Sequence, residues 1–226
     1  VESDRLAFDA LILAGGRSSR LGGVPKQGLV FEGATLLQHS LAACSPASLI
    51  AVVGPDSGPL PAGVVACREQ PEFAGPAAAV AAGLEALGRA GGGREFTLVL
   101  ACDMPRASGA VETLAQCLVS LADAGDGVMA CSEDGTAQML LGFYRTAGLK
   151  RSAQALAARD GLINGSMRSL LASLDVQLVT VPAGTTDDVD TWDDAAALGV
   201  DAGAAGRAPG PARQQLNWEA KSEKPG

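Results

Sequence analysis

Residues 13–27, LAGGRSSRLGGVPKQ, bring together Gly15, Gly16, Gly22 and Gly23 with Arg17, Arg20 and Lys26. Glycine lets the main chain approach a ligand closely and leaves N–H groups open to phosphate oxygens. The arginines offer bidentate donors and the lysine a compact charge. The chain carries a formal net charge of −8, so three cations within ten residues oppose the overall sign and read as an anion site. An ordinary Gly-rich turn with solvated charges is the plainer alternative. The loop's place directly after an apolar strand favours phosphate binding, because open α/β sheets take ligands at the ends of their strands. It is neither a P-loop, lacking Gly-Lys-[Ser/Thr], nor a Gly-x-Gly-x-x-Gly dinucleotide fingerprint.

A second candidate is Asp103, in Cys102-Asp103-Met104-Pro105, where an apolar run delivers a carboxylate at its C-terminal end. Asp is a hard oxygen ligand suited to Mg²⁺ shared with substrate phosphates. The competing reading is a helix cap. A third is DDVDTWDD, residues 187–194, with five aspartates in eight positions. Asp193 and Asp194 suit a helix start, where carboxylates meet the positive end of the dipole. Asp188 and Asp190 precede that start, free to act as a second metal ligand or an acceptor contact. His39 is the one histidine, which disfavours a His dyad or multi-His metal site. It reads as a packing or surface residue.

The elements that must position these groups alternate along the chain. Strand candidates lie at 8–14, 49–54, 64–67, 96–101, 127–131, 139–144 and 176–181, several apolar on both faces as in a sheet covered on each side. Helix candidates lie at 35–44, 76–88, 108–123, 147–159, 166–173 and 191–198. Thr35 with Gln38 and Thr191 with Asp194 have capping-box spacing, and Pro76 suits a first helical turn. The alternation predicts an α/β domain with a mostly parallel sheet. If the first and fourth strands are parallel, Asp103 and the Arg17/Arg20/Lys26 loop meet on one crest. GRAGGGR (88–94) reads as a flexible loop.

The length of 226 residues, with 47% apolar and 19% charged residues, fits one domain over 1–200. An Ala/Gly/Pro-rich tail follows over 201–226. No run has the length of a membrane span, and the acidic VESDRLAFDA is unlike a basic signal region, so a cytoplasmic protein is expected. The acidic balance argues against general nucleic-acid binding. Five cysteines without knuckle or redox spacing read as reduced, mostly buried thiols. The oligomeric state stays open, with a monomer favoured.

The first motif, then Gly75-Pro76, Cys102-Asp103-Met104-Pro105 and Asp188-Val189-Asp190-Thr191, resemble in order and spacing the molybdenum cofactor guanylyltransferase (MobA-like) family of nucleotidyltransferases, over about residues 8–199. The resemblance implies a three-layer α/β/α sandwich with a mostly parallel, Rossmann-like sheet, of the nucleotide-diphospho-sugar transferase-like kind. It implies Mg²⁺-dependent transfer of a nucleoside monophosphate to molybdenum-bearing molybdopterin, releasing pyrophosphate. By this likeness Leu13, Ala14, Gly15, Gly16 and Arg17 contact the nucleotide, Arg20 and Lys26 hold the triphosphate, and Asp103 binds Mg²⁺. Gly75 lies near the base, Glu69 is the nearest candidate to read guanine, and Arg168, Asp188 and Asp190 face the acceptor. Ala14-Gly15-Gly16 is typical of guanylyltransferases. Pro25-Lys26 is more typical of cytidylyltransferase relatives, Ala77-Ala78-Ala79 replaces Leu-x-Gly, and Gln138-Met139 stands where the family has Gln-Pro. GTP is therefore the expected nucleotide, with CTP and another small phosphate acceptor, or a non-catalytic nucleotide-binding relative, as alternatives.

Overall fold

The computed structural model describes residues 6–16, 18–55, 58–121 and 123–203. Arg17 and the tail from 204 onward lie outside the described residues. A seven-stranded sheet is built from β1 (Phe8–Leu13), β4 (Ile50–Val53), β5 (Val64–Cys67), β6 (Phe96–Ala101), β7 (Gly127–Cys131), β8 (Ala137–Arg145) and β9 (Val176–Thr180), in the order β5-β4-β1-β6-β8-β7-β9. Every pairing is parallel except those of β8 with β6 and with β7. Each main-sheet strand expected from the sequence is present.

The helices are α1 (Leu36–Ala43), α2 (Pro76–Arg89), α3 (Ser108–Ser120), α4 (Thr146–Ala157), α5 (Met167–Leu171) and α6 (Trp192–Leu198). The period-2 geometry of a strand explains how they are shared between the two faces. Along β1, Ala10 and Ile12 point into a core with Leu37 of α1 and Leu114 of α3, while Leu11 and Leu13 point into another with Val80 and Leu84 of α2, Leu149 of α4 and Leu170 of α5. Ile12, Leu11, Leu114 and Leu149 are fully buried, each such side chain contributing about 1.5–3 kcal/mol. This gives the three-layer α/β/α sandwich.

A second, three-stranded sheet, β10-β2-β3, comprises β2 (Val30–Phe31), β3 (Ala34–Thr35) and β10 (Val200–Asp201). It was not expected from the sequence, because two-residue strands carry no readable period. With α6 it encloses a third core of Leu21, Leu29, Phe31, Leu36, Val189, Ala195 and Val200. Both expected capping boxes form. Thr35 Oγ1 accepts from Gln38 N at 3.1 Å and Gln38 Oε1 from Thr35 N at 2.7 Å. Thr191 and Asp194 do the same at the start of α6. Pro76 occupies the first turn of α2.

The Gly-rich loop after α2 is anchored rather than free. The buried Asp9 carboxylate accepts from Gly93 N and Arg94 N at 2.7 and 3.0 Å. All five cysteines are free thiols. Burial pushes Cys44 up to about 12 and Cys67 up to about 11, which keeps both protonated and unreactive at neutral pH. His39 packs on Phe31 and its Nε2 lies 2.8 Å from the Phe31 carbonyl oxygen, a packing role. No described helix is long and apolar enough to cross a membrane.

Candidate active site

The order β4-β1-β6 puts a reversal of chain direction across the sheet beside β1, where open α/β sheets bind ligands at their C-terminal crest. Leu13 ends β1 directly opposite Ala101, which ends β6. Cys102 N donates to Leu13 O at 3.1 Å and Ala14 N to Val53 O at 2.8 Å. The glycine loop and the Asp103 turn therefore leave the sheet side by side. Leu21 and Leu29, both fully buried in the third core, pin the chain on either side of Lys26. Between them Lys26 opens a one-turn 3₁₀ segment (Lys26–Gly28) behind Pro25 and is directed back to the crest.

Asp190 reaches the same place by two backbone tethers. Val189 N donates to Asp103 O at 3.0 Å, and Asp190 N donates to Asp194 Oδ2 at 3.2 Å. The capping aspartate of α6 thus also sets Asp190. The Lys26 ammonium sits between two carboxylates, 2.8 Å from Asp103 Oδ2 and 2.5 Å from Asp190 Oδ1. Arg20 reaches Asp190 Oδ2 at 3.2 Å from a largely exposed position. Ligand atoms of Asp103, Asp188 and Asp190 all lie within 4.8 Å of one another.

The electrostatics follow from this crowding. Burial pulls the Lys26 pKa down, and the charges and hydrogen bonds of Asp103 and Asp190 more than reverse it, so Lys26 stays an ammonium above the ordinary lysine value. Burial, then repulsion from Asp103 and Asp190, holds the Asp188 carboxyl above its usual value, with Lys26 opposing in part. The Lys26 ammonium already offsets part of this carboxylate charge. Hard oxygen donors of this kind suit a divalent metal.

Above the crest lies a cavity of about 460 Å³. Leu13, Ala14, Gly15, Gly16, Arg20, Lys26, Glu69, Gly75, Asp103 and Asp190, all expected from the sequence, line it. Asp188 belongs to the carboxylate cluster but does not line the cavity. Arg168 is exposed on α5, also outside the lining. The segment just before it is close by: Ala77 N donates to Gly165 O at 3.1 Å, and Asn164 N to Ala74 O at 2.6 Å. Gly75 is required at that contact, with φ +91° and a would-be Cβ 3.1 Å from Gly165 O.

Glu69 is buried, and its Oε1 accepts from Phe73 N at 3.1 Å. Its Oε2 is buried with no hydrogen-bond partner among the described residues. A buried carboxylate oxygen in that condition is costly unless a ligand completes it.

Sequence reasoning missed Ser18, Ser19, Phe73, Pro76, Ala79 and Leu140 in the lining. It also missed Gly54, whose Cβ would fall 2.8 Å from Ala14 C and 2.9 Å from Gly15 N. That glycine is what lets the end of β4 press against the glycine loop. A Gly directly after an apolar strand was the available signal, together with an aromatic ring two residues before Gly75-Pro76 for Phe73.

The MobA-like NTP transferase domain model matches residues 10–178. The chain belongs to the MobA-like NTP transferase family. It is therefore a nucleotidyltransferase by family. A probable molybdenum cofactor guanylyltransferase of Mycobacterium marinum is 32% identical over 186 residues, covering 80% of this chain and 87% of that protein. A molybdenum cofactor guanylyltransferase of Ralstonia nicotianae is 36% identical over 122 residues, covering 51% and 55%. Among solved structures, molybdopterin-guanine dinucleotide biosynthesis protein A from Archaeoglobus fulgidus superposes with a TM-score of 0.62 at 18% identity, over 84% of this chain and 96% of that one. The 2-C-methyl-D-erythritol 4-phosphate cytidylyltransferase of Francisella tularensis gives 0.67 at 14% identity, over 85% and 98%. These two likenesses bear on the fold, the α/β/α sandwich with a mostly parallel sheet.

Proposed function

We propose that this MobA-like nucleotidyltransferase transfers GMP from GTP to a molybdopterin-type phosphate acceptor bearing molybdenum, releasing pyrophosphate. The observation that carries the reading is Lys26, held by Asp103 and Asp190 at the edge of a glycine-lined cavity. The names of the curated relatives support guanylyl transfer to the molybdenum cofactor. The orphaned Glu69 Oε2 supports guanine, whose Watson–Crick edge offers N–H donors to a carboxylate. The chemistry needs no histidine, since a phosphate nucleophile is already ionised near neutral pH. The free thiols fit a cytoplasmic enzyme.

In this reading the reaction is in-line attack on the α-phosphorus, and the protein contributes position and charge. The main-chain N–H groups of Gly15 and Gly16 face the phosphates; Arg17, outside the described residues, is assigned to the nucleotide by the sequence resemblance. Lys26 and Arg20 stabilise negative charge developing on the departing pyrophosphate. The donor set fits Mg²⁺: three hard carboxylates crowded within 4.8 Å, already neutralised in part by an ammonium. Bound to Asp103, with Asp188 and Asp190 beside it, Mg²⁺ supplies charge neutralisation at the phosphate oxygens. Arg168, on the flank of the loop that holds Gly75, lies on the acceptor side.

The test is pyrophosphate release with molybdenum-molybdopterin and either GTP or CTP, in wild type and Asp103→Ala. The expected outcome is GTP-dependent release that falls about 10²-fold or more in Asp103→Ala, with the fold intact by melting. Preference for CTP removes the guanylyl assignment, and full activity in a folded Asp103→Ala protein removes Asp103 from the site.

A further inference from the structure

The cavity crosses the sheet crest in a definite order. Glu69 follows β5 at one side, the glycine loop follows β1 in the middle, and Asp103 follows β6 at the other. Three strand spacings of roughly 4.8 Å separate β5 from β6. On the nucleotidyl-transfer reading, on which this inference rests, the phosphates belong at the charged β6 side and the nucleoside at the β5 side.

At that nucleoside side stands Phe73. It lines the cavity, is 40% exposed, and holds φ +60°, a region that bulky residues rarely adopt. Its N–H is bound by Glu69 Oε1 at 3.1 Å. The Arg68 guanidinium lies 5.9 Å from its ring centroid and is itself held by Glu72 at 2.7 Å. The fold therefore keeps a large apolar ring at the cavity in an unfavourable backbone conformation, tied to the carboxylate whose other oxygen is unpartnered.

We propose that Phe73 stacks on the nucleobase while Glu69 Oε2 meets its edge. Stacking is tolerant of base identity, so Phe73 supplies affinity and Glu69 supplies choice. The shared hydrogen bond from Phe73 N fixes one relative to the other.

Calorimetric titration of wild type, Phe73→Ala and Phe73→Trp, with GTP or CTP in the presence of Mg²⁺ and separately with tripolyphosphate, tests this. Phe73→Ala should bind the preferred nucleotide about tenfold or more weakly and tripolyphosphate as wild type does. Phe73→Trp should retain nucleotide affinity. Unchanged nucleotide affinity in Phe73→Ala, or equal loss of nucleotide and tripolyphosphate, overturns the stacking role alone. A wild-type protein that binds no nucleoside triphosphate overturns the nucleotidyl-transfer reading and the stacking role with it.

Discussion

Replacing Lys26 by Met removes a charge and keeps the side chain's length. Lys26 and Asp103 are each 18% exposed and Asp190 is 46% exposed, with contacts of 2.8 and 2.5 Å. Losing one partner of a fully buried pair costs about 3–5 kcal/mol, whereas exposed pairs are worth about 0–1 kcal/mol because water screens them. The intermediate exposure puts the loss in metal-free protein at about 1–3 kcal/mol, with Tm falling by about 2–4 °C for each kcal/mol in a chain of this size. The same geometry has a second consequence. A metal ion on Asp103 and Asp190 must share them with the Lys26 ammonium, so Lys26→Met should take up Mg²⁺ at lower concentration than wild type even as turnover falls. A melting titration with MgCl₂ reads both effects. A Lys26→Met protein that melts at or above wild type without metal, with the same Mg²⁺ dependence as wild type, would refute the reasoning.

Gly54→Ala forces the end of β4 away from the Ala14–Gly15 backbone, because the new Cβ would lie 2.8 Å from Ala14 C. Overpacking of this kind costs about 1–3 kcal/mol, and both Tm and the nucleotide KM should worsen. Asp188→Asn should raise the Tm of metal-free protein at pH 7. Burial, followed by repulsion from Asp103 and Asp190, lifts the Asp188 pKa above 3.8 in the fold. The folded state therefore binds that proton more tightly than the unfolded chain, and stability is lost as pH rises through the raised value. The gain from Asn should vanish as pH falls toward 3.8, and a gain independent of pH would point to packing instead.

The main sheet was legible because its strands are short, mostly apolar runs. FDALIL and FTLVLA are buried at every position, and only a strand covered on both faces reads that way. Helix starts were legible where side chains close their own first turn, as at Thr35, Thr191 and Pro76. The reversed direction of β8 was not, since MLLGFY has the same apolar character in either direction and only its partners β6 and β7 define it. The members of the site were mostly legible as residue types: cations among glycines, and a carboxylate ending a strand. Their pairing was not, because Lys26 and Asp190 are 164 positions apart and meet only once the chain has folded.

What brings them together is the part of the fold with the faintest sequence signal. Leu21, Leu29, Val189 and Ala195 interlock in the third core, and these residues flank Arg20, Lys26, Asp190 and Asp194 in the chain. Val189 N–H binds the Asp103 carbonyl, which couples that small core to the crest of the large sheet. The division of labour is physical. The main sheet fixes Asp103 and the glycine loop, while a small core of seven apolar side chains sets how closely Lys26 and Asp190 approach them. Local opening free energy scales with buried apolar contact, so the smaller core is the part of the site that yields first, and with it the contact between Lys26 and Asp190.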